Sequence, residues 1–122
     1  VRFEVRGPFL RSLYCHCHRC QRRTGVSCSA SARVSRADFA LLSGADLIRS
    51  WEPPGGVPKA YCAECGGHLF SGSLDGDFLS VRLGAVEGDP GIRPEYRQWV
   101  SSAVPWEPIP DDGLPRYEED GP

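Results

Sequence analysis

No stretch of this sequence approaches the ~18–20 consecutive apolar residues that cross a membrane as a helix, and none has the charged, apolar and small-residue order of a secretory signal. A soluble, cytoplasmic protein without a membrane partner is the expectation. A strong charge of either sign is also missing. The formal net charge is −2, and lysine occurs once against thirteen arginines. With no basic tail, the chain lacks the electrostatic footprint of a nucleic-acid binder. There is no repeat, interdomain linker, Ser-His-Asp pattern, phosphate-cradling glycine loop or paired-carboxylate motif. Helical bundles are disfavoured too, because 14 glycines and 11 prolines among 122 residues would destabilise helix interiors.

What remains is a turn-rich, mainly β chain of a length that suits a single domain, residues 1–122. Val1–Val5 alternates apolar and polar residues as a half-buried strand does. Further strands are expected near Val26–Val34, Phe39–Leu42, Leu47–Trp51, Ala60–Tyr61, His68–Ser71 and Phe78–Leu83, punctuated by turns such as Asp75-Gly76-Asp77. Two short helices are conceivable: Cys17–Thr24, closed by Gly25, and a weaker alternative at Asp38–Leu42. From about residue 105 to 122, proline and acidic residues predict an extended tail that wraps the domain or frays from it.

Against this background the six cysteines stand out. Three are packed into Cys15-His16-Cys17-His18-Arg19-Cys20, and two recur in Cys62-Ala63-Glu64-Cys65-Gly66-Gly67. Such CxCxxC and CxxCG spacings bring thiolates together on a metal. Zinc prefers four tetrahedral ligands, so Cys15, Cys17 and Cys20 alone leave one position open, as catalytic sites do. Cys62 and Cys65 supply two ligands, half of a closed site. Disulfides are the alternative, disfavoured because Cys15, Cys17 and Cys20 lie too close in sequence to pair comfortably. Cys28 reads as a small buried apolar residue.

Taken with Gln21-Arg22-Arg23-Thr24-Gly25 after the first cluster, Tyr61 before the second, Pro94 and Pro105-Trp106, these motifs resemble the glutathione-dependent formaldehyde-activating enzyme and centromere protein V family. The resemblance runs from Val1 to about Tyr117. It implies a β-tent fold, two antiparallel sheets around zinc-binding cysteine clusters with short helical turns. It also implies up to two zinc ions: a catalytic one on Cys15, Cys17 and Cys20, and a structural one with Cys62 and Cys65 among its ligands. In the family pattern the other structural ligands come from a CxC element just before the first strand. This chain begins at Val1, where that element would just have ended. The expectation is that the true N-terminus lies upstream, the alternative being loss of the site.

The activity implied is that of a carbon–sulfur lyase working in the addition direction, joining a thiol such as glutathione to formaldehyde or another small aldehyde. Arg22 and Arg23, with Arg19, suit the carboxylates of glutathione, or else form a solvated helix face. The family pattern also places Trp106 beside the pocket, and Trp99 is a further aromatic there, with core packing as the alternative for both. His16 and His18 are expected to point away from the metal, exposed or supporting the ligands from behind. His68 reads as structural. Two other arrangements stay open: one closed zinc shared by both clusters, and a non-catalytic, zinc-stabilised binding module. Oligomeric state leaves no mark in the sequence.

Overall fold

The computed structural model describes residues 1–122. Nine strands form in chain order: β1 Arg2–Val5, β2 Arg11–Cys15, β3 Ser29–Ser35, β4 Phe39–Ser43, β5 Ile48–Trp51, β6 Lys59–Cys62, β7 His68–Ser71, β8 Phe78–Arg82 and β9 Arg97–Gln98. One α-helix, α1, covers His18–Thr24, and four single 3₁₀ turns complete the structure. No helix is long and apolar enough to cross a membrane.

The strands make two sheets, a β1-β4 ribbon and a seven-stranded sheet in the order β5-β6-β7-β8-β3-β2-β9. The two-sheet, mainly β architecture is the one the resemblance implies. Pairing is antiparallel throughout, except that β9 runs parallel to β2 at the sheet edge.

Alternation explains how the sheets meet. Phe3 and Val5 of β1 and Leu41 of β4 pack against a buried cluster of Val34, Phe39, Ala60, Leu69, Phe70, Leu79 and Val81. Phe39 joins the two layers, stacking on Phe3 at 5.1 Å and meeting Phe70 edge-on at 5.3 Å. Leu79 and Val81 point into this core, so Ser80 and Arg82, at the alternate positions of β8, face the other side of the sheet. That opposite face carries the candidate site.

Two differences from the sequence reading have local causes. Strand β2 was not expected, because Ser12 takes a fully buried position where alternation calls for an apolar residue. Its hydroxyl donates to the Ser31 carbonyl at 3.0 Å, which satisfies it. Residues 39–42 form the strand expected there, and the weaker helical alternative at Asp38–Leu42 is not taken, because only Arg36–Asp38 makes a helical turn before Phe39 turns into the core. Strand β9 has two residues, too few to leave a periodic trace.

The tail lies along the sheet edge. Arg97 N–H donates to the Pro115 carbonyl and Tyr117 N–H to the Arg97 carbonyl, both at 2.9 Å. Tyr96 and Tyr117 meet edge-to-face at 5.5 Å.

Candidate metal centre

Strand β2 delivers Cys15, buried, at its C-terminal end. The chain then turns into α1, with Cys17 as the N-cap and Cys20 in the first turn, where the Cys20 N–H donates to the Cys17 sulfur at 3.4 Å. The helix ends at Gly25, whose φ of 75° is the left-handed conformation glycine adopts without strain. Gln21 holds the helix in place: its Nε2 donates to the carbonyls of His16 at 2.6 Å and Ser102 at 2.7 Å.

This geometry brings the sulfurs of Cys15, Cys17 and Cys20 within 4.8 Å of one another. Ligands of a tetrahedral ion with Zn–S near ~2.3 Å sit ~3.8 Å apart, so the three thiols fit zinc. They also share protons. Hydrogen bonds from Cys15 and then Cys17 pull the Cys20 thiol well below its ordinary pKa, while hydrogen bonding to Cys17 and Cys20 pushes Cys15 up. A cluster that already favours one thiolate is prepared to exchange its remaining protons for a cation. Ser29, opposite Cys15 across β2 and β3, lies near Cys20 and helps to lower its pKa, and its buried hydroxyl has no hydrogen-bond partner.

Cys62 and Cys65 stand apart from this cluster at the end of β6 and in the following turn. The turn is closed by Gly66 N–H donating to the Cys62 carbonyl at 2.7 Å and Cys62 N–H to the Gly67 carbonyl at 2.9 Å. Backbone N–H groups of Cys65 and Glu64 lower the Cys62 pKa. The two thiols line a cavity of about 700 Å³ with Arg23, His68 and Arg82. Cys28 is half-buried in the loop before β3 and lines the same cavity, outside the three-thiol group.

The remaining sequence-predicted residues scatter. Arg23 turns toward Cys20, whereas Arg22 is exposed on the outer helix face. Arg19 lies 5.9 Å over the Trp51 ring. Trp106 is 65% exposed and lines none of the cavities described here. Trp99 adopts a left-handed φ of 57° and its indole donates to Asp120 at 2.8 Å. His18 is exposed and His68 opens β7, both as read from sequence.

His16 is not exposed but 3% accessible, because it turns to the side of β2 opposite Cys15. There Arg97 Nη1 donates to its Nε2 at 3.1 Å. The same guanidinium reaches Asp112 at 2.9 Å and lies 4.2 Å from the Tyr14 ring centre. Burial, then the charges of Arg97 and Arg116, lowers the His16 pKa, so the ring is held neutral, accepting at Nε2 and protonated at Nδ1.

Two residues beside the thiols left no signal in the sequence. Arg82, at the end of β8, lies near Cys20, Cys15 and Cys17, whose charges favour its charged form, and donates to Ser71 at 2.8 Å. Lys59, at the start of β6, lies within reach of the charges of Arg82, Cys20, Arg19 and Arg23, and burial followed by Arg82 lowers its pKa. They are remote from the cysteine motifs in sequence, and only strand pairing gathers them.

Residues 1–102 match the model of the family described as glutathione-dependent formaldehyde-activating enzyme. A crystal structure of a Rhodobacter sphaeroides protein superposes with a TM-score of 0.58 at 17% identity, covering 94% of this chain and 89% of that one, which supports the fold.

Proposed function

The chain belongs to the glutathione-dependent formaldehyde-activating family, and from that premise we propose that it is a zinc-dependent enzyme of carbon–sulfur lyase type. It joins the thiol of glutathione to formaldehyde or another small aldehyde. The observation that carries this reading is the convergence of Cys15, Cys17 and Cys20 within 4.8 Å, which offers a tetrahedral ion three of its four ligands and leaves the fourth to an incoming thiol. Zinc held there supplies the positive charge that deprotonates a thiol at neutral pH.

The chain's own residues do the rest. The three thiols act as ligands, and the Ser29 hydroxyl near Cys20 favours its thiolate. In the addition the sulfur lone pair forms the C–S bond to the carbonyl carbon, the C=O π pair moves to oxygen, and that oxygen takes up the proton the thiol gave away. Thiol and aldehyde become S-hydroxymethylglutathione, with no oxidant or reductant required. Arg23 is assigned to the carboxylates of the thiol, ahead of Arg22, which is exposed on the outer helix face, and of Trp106, which lines none of the cavities described. Arg23 is the better supported of the three, since it already turns toward Cys20.

Cys62 and Cys65 are assigned to a second, structural zinc that needs two further ligands. The functional unit is the whole of residues 1–122 as one zinc-binding domain, with 105–122 as its extended tail. A reducing compartment such as the cytoplasm suits six free cysteines.

The test compares wild type with Cys17→Ser, chosen because serine is itself a strong N-cap and preserves α1. Wild type should hold zinc at the cluster, bind glutathione only when zinc is present, and form S-hydroxymethylglutathione faster than the spontaneous reaction. Cys17→Ser should lose all three with its β-rich circular dichroism unchanged. Zinc that millimolar glutathione neither binds nor perturbs would reject the enzyme and leave a closed, zinc-stabilised binding module.

A further inference from the structure

The face of the large sheet beside the three thiols gathers cations and lacks carboxylates. Strand pairing sets Lys59 opposite Ser71, Ser71 opposite Ser80, and Arg82 opposite Ser31, so these side chains share one face with Cys15 and Ser29. Arg19 and Arg23 reach toward it from α1 above. The four ion pairs of the molecule are Arg2–Glu87, Arg6–Glu4, Arg93–Asp89 and Arg97–Asp112, and none involves Arg19, Arg23, Lys59 or Arg82. Neither the 700 Å³ cavity lined by Arg23 and Arg82 nor the 330 Å³ recess over Ser31, Ser71 and Ser80 has an aspartate or glutamate in its wall.

Arg82 is largely withdrawn from water, yet its one side-chain hydrogen bond within the protein goes to Ser71, leaving most of its five N–H donors unused. Half-burying cations without counter-charges is unfavourable unless an anion completes the site. The thiols provide part of it. A divalent ion on three thiolates carries one net negative charge, and a fourth thiolate makes two, against the four cations that converge here. The remainder matches a carboxylate attached to the incoming thiol.

We propose that Arg82 and Lys59, with Arg23, form an anion site that selects a thiol bearing a carboxylate and discriminates against neutral thiols. This rests on the thiol-binding reading above and deepens it by naming the recognition residues. Arg82 presents the planar fork suited to a carboxylate, and Lys59 a point charge beside it.

The zinc-loaded full chain is titrated calorimetrically with glutathione, glutathione diethyl ester, whose carboxylates are blocked, and S-methylglutathione, whose thiol is blocked. Glutathione should bind about 10-fold or more tighter than the diester, the scale of one charge-assisted hydrogen bond. Arg82→Gln and Lys59→Gln should each remove most of that preference while leaving zinc content and diester affinity unchanged, and Arg82→Lys should restore part of it. Lys59→Gln keeps the test decisive if Arg82→Gln disturbs Ser71 and the fold. A diester that binds as tightly as glutathione overturns the anion site and leaves the thiol reading intact. S-methylglutathione that binds as tightly as glutathione, with or without zinc, and weakens in both variants would uphold the anion site and overturn the thiol reading.

Discussion

Replacing Arg97 with methionine removes the buried anchor between the C-terminal segment and the cysteine turn while keeping most of the aliphatic volume. Arg97 is 6% exposed and serves three partners: Asp112 at 2.9 Å, His16 Nε2 at 3.1 Å and the Tyr14 ring at 4.2 Å. Without it the buried His16 ring, whose Nδ1 already has no partner, loses its Nε2 partner as well. A buried polar group left unsatisfied costs about 1–3 kcal/mol, and a desolvated cation–π contact adds roughly 1–2 kcal/mol. The expected loss is about 2–5 kcal/mol, read as a urea midpoint lowered by roughly 1–2.5 M for a slope of about 2 kcal/mol/M. Unfolding of the zinc-loaded chain followed by tryptophan fluorescence measures it. A change within about 0.5 kcal/mol, the range of an ordinary surface substitution, would refute the reasoning. pH supplies a second check. The hydrogen bond from Arg97 holds the Asp112 carboxyl below its ordinary pKa. A depressed folded-state pKa stabilises fully above the unfolded value of about 3.9 and less as pH falls through the folded value. The stability gap between wild type and Arg97→Met should therefore narrow below about pH 4, and a gap that stays constant there would remove Asp112 from the account.

Phe39→Ala opens the contact between the two sheets, where the ring is 3% exposed and meets both Phe3 and Phe70, so a loss of about 3–5 kcal/mol in chemical unfolding is expected. Gly25→Ala places a Cβ in open space but forces a φ of 75°, costing about 1 kcal/mol at the end of α1. Gly25→Asn should recover part of this, because asparagine tolerates that conformation, and equal unfolding midpoints for wild type and Gly25→Ala would contradict the cap. Stripping the metal with a chelator should lower the melting temperature, since an ion that binds only the folded chain stabilises it. An unchanged melting curve would show that no metal stabilises the fold.

Local signals were legible and non-local ones were not. The three thiols lie within six residues, so the turn that gathers them needs no distant partner. The capped helix after them was also predictable, because Thr24-Gly25 ends it by local chemistry alone. The strand at His68–Ser71, bounded by Gly66-Gly67 and Gly72, was readable to the residue. Strand β2 escaped because its serine is buried through a hydrogen bond, not an apolar side chain. Arg82 and Lys59 escaped for a different reason: each is an unremarkable cation in its own strand, and its proximity to Cys20 exists only through the β6-β7-β8-β3-β2 pairing order. The burial of His16 depends likewise on Arg97, eighty-one residues away.

Strand β2 carries the two halves of this arrangement on opposite sides. Cys15 joins the face that holds Ser29 and Arg82, while Tyr14 and His16 look toward Arg97 and the tail. Because side chains alternate, a slip of one residue would exchange the two sets and destroy both the thiol cluster and the arginine clasp together. The short parallel strand β9 opposes that slip. It pairs Tyr14 with Arg97 and Cys15 with Gln98, and the His16 N–H donates to the Gln98 carbonyl at 3.0 Å. The tail in turn holds β9 through the hydrogen bonds of Arg97 with Pro115 and Tyr117. A segment that reads in sequence as an acidic, proline-rich extension therefore fixes the register of the strand that delivers the first thiol.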